Sequence, residues 1–455
     1  MSQPQSTQSN LASWPFVDSL YEDLLRRGVD HFFPEGRLET IETGLSHDKS
    51  FVCAGEKDVV SLQWLGRRSS LFHPGGLTGE QIRLLEAIGR TLAVRYEALS
   101  NTTTAAQSLQ LFRGLPEDHY VSAFLDPKTY ASIEALSHSA NRIAAAIEVL
   151  RVSALTTYEN RRITTGALLF GRMPDPCHAP PPELAEALPY SGELTPSRSF
   201  FRLCDGLRTL ALIDTSGRLT ELIDVREWTE PYRNLVPPVP VPTRYREHCR
   251  ATLCGGHVCL VLTPAGEIKI FADGAQLFRL SDGKWRLTDA REKYRTWEQA
   301  VGDRGLASRL FQVALDMAED RRGGLFVVLD DAEIASHLLQ PEDLLSSRTA
   351  IPEGKDGSSR RAFHYLVQNK RVLDVAPSVV ESLAHIDGAV VLDSRANLLA
   401  FGAIIQPRSG TPDSLPVEGG RTTAAMLASR FGKALKISED GVVCFYEDGR
   451  CNWEI

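Results

Sequence analysis

A helical pattern that runs into two glycines and a buried strand limits what the C-terminal third of this chain can fold into. In residues 305–322, apolar side chains recur at the spacing of one helix face, namely Leu306, Leu310, Val313 and Met317. Gly323 and Gly324 end this helix, and residues 325–331 (LFVVLDD) continue as a buried strand. A polar loop, another helix and another strand follow. This order predicts an α/β domain with a central mixed sheet flanked by helices.

The sequence upstream of this domain predicts a mixed α+β chain with several regions. At 455 residues, the chain is too long for one ordinary core, because domains usually contain roughly 100–200 residues. Residues 251–288 alternate between Gly-containing turns, which predicts a small antiparallel β module. Residues 234–248 (NLVPPVPVPTRYREH) are typical of a linker stiffened by prolines. We therefore predict an N-terminal α/β region over residues 1–103, a second α/β region over 104–245, the β module over 246–300 and the C-terminal domain over 301–455.

Two local patterns add detail upstream. Thr78 followed by Gln81 is the signature of a capping box, which predicts that a helix begins there. Residues 166–171 (GALLFG), followed by a hairpin around Thr215-Ser216-Gly217, resemble the strand and hairpin of an α/β unit. This leaves open whether residues 105–245 form a second copy of the C-terminal unit.

Composition narrows the classes of protein. With 43% hydrophobic and 24% charged residues, the chain has the composition of a globular protein. A net charge of -8 argues against a broad surface for nucleic acid. No apolar run reaches the length that spans a membrane, and the first thirteen residues lack the apolar core of a signal peptide. We therefore expect a cytoplasmic protein with neither a membrane nor a nucleic acid as its partner.

One cluster of soft metal ligands requires a choice between zinc and packing. It consists of His248, Cys249, Cys254, His257 and Cys259. Its spacing contains no CxxC pair, and residues 258–262 (VCLVL) have the pattern of a buried strand, in which Cys acts as a small apolar side chain. We predict a packing role for the cluster.

The first candidate binding motif is Asp387-Gly388-Ala389. Pro377 suits the first turn of a helix, and that helix delivers the chain to Asp387 at the start of a strand. A carboxylate there can hold a divalent cation, and Gly388 lets a ligand approach the backbone because it has no Cβ.

The second candidate motif is Gly419-Gly420-Arg421-Thr422-Thr423. Glycines before a helix present backbone N–H groups to an anion, and Arg421 adds a forked cation. The two motifs together are suited to a nucleotide, with the cation and ribose at the first and the phosphates at the second. A structural interpretation stays open, because Asp-Gly turns and Gly-Gly loops are common in proteins.

A resemblance to a known family connects the two motifs. The segment LAHIDGAVVLDSRANLLAFGAIIQ, then GGRTTAA, then KALKISEDGVVCFYEDG, resembles the diadenylate cyclase domain, including that of the DNA-integrity-scanning enzymes. The likeness covers roughly residues 303–455. In that family an Asp-Gly-Ala motif holds a divalent metal beside the ribose of ATP, and a Gly-Thr-Arg-His-Arg motif binds the phosphates. Two facing protomers join two ATP molecules into cyclic di-AMP, so the resemblance implies Mg²⁺ or Mn²⁺ as cofactor and a homo-oligomer.

The match is full at the first motif and partial at the second. Asp387, Gly388 and Ala389 match the Asp-Gly-Ala motif. Gly419 and Arg421 match the phosphate motif, but the family's Thr is Gly420, and its His and second Arg are Thr422 and Thr423. Neutral hydroxyls supply no charge to a leaving pyrophosphate, so binding should survive better than catalysis.

The leading hypothesis is therefore a sensor that binds an adenine nucleotide or a cyclic dinucleotide without converting it. One alternative is an active diadenylate cyclase, in which Asp387 would be the catalytic residue. The other alternative is a domain kept for structural assembly.

Overall fold

The computed structural model describes residues 15–56, 59–100, 111–138, 141–182, 186–194, 198–345, 360–406 and 419–455. The predicted boundary near residue 103, the polar N-terminal stretch and the Pro-rich crossing before Gly419 lie outside these residues. Within them, helices and mixed or antiparallel sheets alternate, which confirms the predicted mixed α/β class. No helix in the described part of the chain is both long enough and apolar enough to cross a membrane.

The chain forms two compact units rather than four regions. One unit comprises Met1–Tyr232 with Ala251–Thr288, and the other comprises Arg233–Arg250 with Asp289–Ile455. The Pro-rich run that we interpreted as a linker belongs to the second unit. Val241 and Tyr245 are buried there, and the Thr243 hydroxyl donates to Asp316 at 2.9 Å. Burial and side-chain hydrogen bonds hold this segment in place, which a linker would lack.

The N-terminal part of the first unit pairs two long helices with an antiparallel sheet of order β1-β4-β3-β2. Its elements are α1 (Pro15–Phe32), β1 (Arg37–Thr43), β2 (Val52–Glu56), β3 (Val59–Trp64), β4 (Arg67–Phe72) and α2 (Gly79–Ser100). The capping box predicted at the start of α2 is confirmed. The Thr78 N–H donates to Gln81 Oε1 at 2.8 Å, and the Gln81 N–H donates to Thr78 Oγ1 at 3.2 Å.

A seven-stranded sheet of order β13-β12-β11-β10-β7-β8-β9 forms the rest of the first unit. The strands of this sheet are β7 (Thr165–Leu169), β8 (Thr209–Ile213), β9 (Leu219–Asp224), β10 (Val258–Leu262), β11 (Ile268–Ala272), β12 (Ala275–Ser281) and β13 (Lys284–Leu287). The other elements of this part of the unit are α3 (Pro116–Leu125), α4 (Ile133–His138), α5 (Arg142–Ala154), the short pair β5 (Thr157–Tyr158) and β6 (Arg161–Arg162), α6 (Arg198–Leu203) and α7 (Val225–Thr229). Between β9 and β10 the chain also forms α8 (Arg246–Arg250), which belongs to the second unit. The predicted meander is present as β10 to β13. It is not a separate module, because β10 pairs along its whole length with β7.

The second unit contains the predicted mixed sheet, with order β16-β15-β14-β17-β18-β19. Its elements are α9 (Ala290–Val301), α10 (Arg304–Glu319), β14 (Gly324–Leu329), α11 (Ala335–Leu338), α12 (Pro377–His385), β15 (Ala389–Asp393), β16 (Leu398–Ala403), α13 (Gly420–Ala428), β17 (Gly432–Ile437), β18 (Val443–Glu447) and β19 (Arg450–Glu454). One face of the sheet packs on α11 and α13 through a cluster that includes Val327, Val391 and Ala425. On the other face, Phe445 packs against Trp297 of α9 and Trp453.

The two large sheets have the same topology. Strands β7 to β12 occur in the order and directions of β14 to β19, with one parallel pair in each sheet, β7–β8 and β14–β15. Residues 257–280 and 432–455 align one to one without a gap. Their second turns are Asp273-Gly274 and Asp448-Gly449, with φ values of 51° and 75° in both. The first unit therefore contains a second copy of the C-terminal α/β unit, which the sequence had left open.

The hairpin after the parallel pair repeats at atomic detail. Asp214 Oδ1 accepts hydrogen bonds from the backbone N–H groups two and four residues later, both at 2.8 Å. Asp393 Oδ1 does the same at 3.0 and 2.8 Å. The positive φ that closes each turn falls on Gly217 and Ala396. Side-chain acceptors of this kind are what favour Asp in tight turns.

This equivalence predicts parallel effects of mutation. Asp214→Ala and Asp393→Ala each leave two backbone N–H groups without their acceptor, so each should lower the free energy of unfolding by about 1–2 kcal/mol. Asp214→Asn and Asp393→Asn keep one acceptor oxygen and should lose less than their Ala counterparts. Urea-induced unfolding measures all four variants. An Ala variant as stable as the parent protein would contradict a structural role for that turn.

Candidate functional site

The two predicted motifs meet at one edge of the C-terminal sheet. Strands β14 and β15 are adjacent and parallel, with Phe326 opposite Val390. Gly323 comes directly before β14, and Asp387 lies two residues before the start of β15. The guanidinium of Arg421 lies over Gly323, where a Cβ would come within 2.1 Å of Arg421 Nη1. Asp387 and Arg421 therefore both lie at the edge of the sheet where these two strands begin, although a strand pair and a loop separate them along the chain.

Asp387 presents its carboxylate to solvent. It lies between the end of α12 and the start of β15, and its side chain is exposed. No residue in the described ranges hydrogen bonds or ion pairs with that carboxylate. The described residues also contain no group of three His, Cys, Asp or Glu side chains arranged to hold a metal. A Mg²⁺ at Asp387 would therefore take one carboxylate from the described residues and would need its other ligands from water and phosphate oxygens.

Gly388 and Ala389, which follow Asp387, have structural roles. Gly388 has a φ of 117°, and a Cβ there would stand 2.3 Å from the carbonyl carbon of Gly402 in β16. The glycine is thus required by strand packing, a reason that differs from the ligand approach expected from the sequence. Ala389 is 1% exposed and belongs to the core cluster, so a ligand could contact only its backbone.

The second motif begins helix α13 as predicted. Gly419 is the N-cap, with φ of 42° and ψ of 142°, and Gly420 is the first helical residue. The Gly419 carbonyl accepts from the N–H groups of Thr422 and Thr423 at 3.1 and 3.2 Å. Both glycines are exposed, and no described residue accepts from the N–H groups of Gly420 and Arg421. Those N–H groups are available to an anion.

Arg421 is held by one acid at this edge. Its Nη1 donates to Glu439 Oε1 at 3.1 Å, and the two side chains are 38% and 71% exposed. Exposed ion pairs of this kind contribute little to stability, usually below about 1 kcal/mol. The pair therefore orients Arg421 at small energetic cost and can open when a stronger anion arrives.

A lysine that the sequence did not suggest lies beside the two threonines. Lys436 of β17 donates from Nζ to Thr422 Oγ1 at 3.1 Å, and its ammonium is 6.0 Å from the centre of the Tyr446 ring. Thr423 Oγ1 instead donates to the Gly419 carbonyl at 3.4 Å. Lys436 thus places one positive charge beside Thr422.

Two further arginines approach the same edge from the loop between α10 and β14. Arg322 pairs with Glu381 of α12 at 2.9 Å, and Arg321 donates to the carbonyl of Asp440. The signal that could have indicated them is the Arg-Arg pair directly before Gly323. This edge of the sheet therefore carries several arginines, which pair with acids such as Glu439 and Glu381, near the exposed carboxylate of Asp387.

The Cys- and His-rich segment shows packing and hydrogen bonding, in agreement with the prediction. His257 Nδ1 accepts from the Gly171 N–H at 2.7 Å, and its Nε2 pairs with Asp175 at 2.6 Å. Burial lowers the pKa of His257, although Asp175 opposes this shift. Cys249 and Cys259 are fully buried.

Comparison with known proteins identifies no family. No protein-family model matches the chain, and no curated protein matches it either. Solved structures similar to part of it include the following two. A hypothetical membrane-spanning protein from Bacillus cereus is 20% identical over 36% of this chain and 70% of that chain, with a TM-score of 0.25. A cysteine double mutant of DacA from Staphylococcus aureus is 15% identical over 35% of this chain and 89% of that chain, with a TM-score of 0.21. These TM-scores are too low for either likeness to support a conclusion.

The different surroundings of the motif glycines predict opposite effects of an added methyl group. Gly388→Ala meets the Gly402 backbone at a positive φ and should lower the free energy of unfolding by about 2–4 kcal/mol. Gly420→Ala meets nothing within 4 Å and should leave stability unchanged or raise it by up to about 1 kcal/mol, because Ala favours helix. Urea-induced unfolding of both variants checks this. A Gly388→Ala variant as stable as the parent would show that the close approach to β16 is not required.

Proposed function

We propose that the C-terminal α/β unit is a sensor domain that binds an adenine nucleotide or a cyclic dinucleotide together with a divalent cation. The observation that carries the proposal is that Asp387 and Arg421 both lie at the edge of the sheet where the parallel strands β14 and β15 begin. A carboxylate and a guanidinium at one edge are suited to a metal-bound phosphate ester, because one holds the cation and the other the anion.

The anion is recognised by several donors of different kinds. Arg421 offers a forked pair of N–H groups, Lys436 an ammonium, and the first turn of α13 its backbone N–H groups. Such donors converge on phosphates in many nucleotide sites. The exposed position of both glycines lets a phosphate approach this turn closely.

The second motif lacks two basic side chains that would stabilise a leaving pyrophosphate, and this favours binding without turnover. Thr422 and Thr423 are neutral, and the Thr423 hydroxyl donates a hydrogen bond to the Gly419 carbonyl. Lys436 supplies one charge, but its ammonium is shared with the Thr422 hydroxyl. A departing pyrophosphate needs strong charge stabilisation, whereas recognition of a bound phosphate requires much less.

Calorimetric titration of the full chain tests the proposal. We expect ATP or cyclic di-AMP to bind, and to bind more tightly with Mg²⁺ or Mn²⁺ than with a chelator present. Arg421→Ala removes a charge-assisted contact worth about 1.5–3 kcal/mol, so affinity should fall roughly 10- to 150-fold. Asp387→Asn should abolish the dependence on the divalent cation. No binding by either nucleotide would sink the proposal.

Matched variants separate the site from general electrostatics. Asp448→Asn changes the Asp-Gly pair in the turn between β18 and β19, at the opposite end of the strands and at a positive φ that Asn tolerates, and should leave affinity unchanged. Glu439→Gln releases Arg421 from its ion pair and should tighten binding a few-fold. Weaker binding in Glu439→Gln would contradict the assignment of Arg421 to the phosphate.

The same samples decide between sensor and enzyme. Incubation with ATP and Mn²⁺, followed by mass spectrometry, should show no cyclic di-AMP. Product that disappears in Asp387→Asn would replace the sensor proposal with a diadenylate cyclase. If Asp387→Asn and Arg421→Ala change neither binding nor oligomeric state, a purely structural role for the domain would replace it.

A further inference from the structure

A cavity lined by cations lies in the C-terminal unit, apart from the edge at Asp387 and Arg421. Its volume is 360 Å³, and its walls are the Pro-rich segment 235–241 and residues of helices α8, α9 and α10. Four arginines line the cavity, namely Arg233, Arg246, Arg250 and Arg304. The described lining residues include no acid. A concave space of this size within one unit falls in the range of small-molecule sites. Its charge selects for an anion.

The arginines differ in how far they are already neutralised. Arg250 pairs with Glu247 at 2.7 Å, and Arg304 pairs with Glu298 at 3.3 Å. Arg246 is exposed, and no residue of the described ranges hydrogen bonds or ion pairs with its guanidinium. The positive charge of Arg246 is therefore available to a ligand. A ligand that bonds it displaces no protein partner.

Neutral donors and a stiff wall complete the cavity. Tyr294, Ser308 and Gln312 line it beside the arginines. Burial raises the pKa of Tyr294, so its hydroxyl keeps its proton and can donate a hydrogen bond. The opposite wall contains three prolines, whose fixed φ lowers the entropy that binding would otherwise cost. On that wall Val236 is 82% exposed, which leaves an apolar surface for the organic part of a ligand.

The internal repeat supports the identity of the anion. Arg246 begins the helix before β10, and Arg421 lies in the first turn of the helix before β17. Arg246 lies eleven residues before His257, and Arg421 lies eleven residues before Gly432, the residues at which the gapless alignment begins. An arginine thus stands near the start of the helix that precedes β10 and of the helix that precedes β17, although α8 itself belongs to the second unit.

We propose that this cavity is a second ligand site, which binds a phosphorylated small molecule of nucleoside-diphosphate size. The arginines hold the phosphates in forked contacts, with Arg246 as the principal one, and the Pro-rich wall covers the organic part. The cavity itself does not depend on Asp387 and Arg421, but the choice of phosphate as the anion rests on the function proposed for Arg421.

Titration of the full chain with ADP, and separately with inorganic pyrophosphate, at 150 mM salt tests this assignment. We expect Arg246→Ala to weaken ADP binding at least roughly 10-fold, the loss of one charge-assisted contact. Arg244→Ala is the matched control, because Arg244 is equally exposed, lies two residues away and does not line the cavity. It should change the affinity less than about two-fold. Pyrophosphate should bind more weakly than ADP, since it leaves the apolar wall uncovered.

Three outcomes overturn the proposal. They are the absence of ADP binding, equal losses in Arg244→Ala and Arg246→Ala, and an ADP affinity that Arg246→Ala leaves unchanged. Arg421→Ala separates the two sites: if it alone weakens ADP, the edge at Asp387 binds the nucleotide and the cavity does not. If Arg246→Ala alone weakens ADP, the cavity is a site in its own right and the edge at Asp387 does not bind ADP; the proposed function of that edge is then decided by the ATP and cyclic di-AMP titrations. Equal melting temperatures of the variants exclude misfolding as the cause.

Discussion

Strand β15 begins at a contact that admits no side chain. At Gly388 the backbone passes so close to Gly402 of β16 that a Cβ would stand 2.3 Å from its carbonyl carbon. Gly388 comes directly before β15, so Asp387 lies at the start of this strand, next to the start of its parallel neighbour β14. The guanidinium of Arg421 needs the missing Cβ of Gly323 to lie where it does. Two close approaches at glycines therefore position both charged groups of the candidate site.

The two copies of the repeat each carry an Asp-Gly pair before the second strand of the parallel pair, but at different positions. Asp205 lies four residues before β8, and Asp387 lies two residues before β15. In the first copy, Asp205 Oδ1 accepts from the N–H groups of Leu207, Arg208 and Thr209, so its carboxylate is occupied by its own loop. In the second copy the carboxylate of Asp387 faces solvent. The turn after the parallel pair, by contrast, is the same in both, because its backbone geometry needs the Asp acceptor.

Sequence reasoning located the charged residues of the site but only part of their surroundings. Asp387 and Arg421 were indicated by local patterns, an Asp-Gly at the start of a strand and a Gly-Gly-Arg at the start of a helix. Lys436 was missed because it reaches Thr422 only after β17 has paired with β14 and α13 has packed on both. The reason for Gly388 was also hidden, since the atom it must avoid belongs to a different strand.

What the sequence determined by itself was local: the order of helices and strands, the capping box at Thr78, and the glycines that open α13. These follow from hydrogen bonds and conformational preferences within a few residues. The tertiary structure alone decided that the Pro-rich segment packs into the C-terminal unit, that the meander joins β7 in one sheet, and that β14 and β15 are parallel neighbours, which brings Asp387 to the edge where Arg421 lies. Each of these depends on pairing and burial between residues far apart in the chain, for which a single sequence carries no local signal.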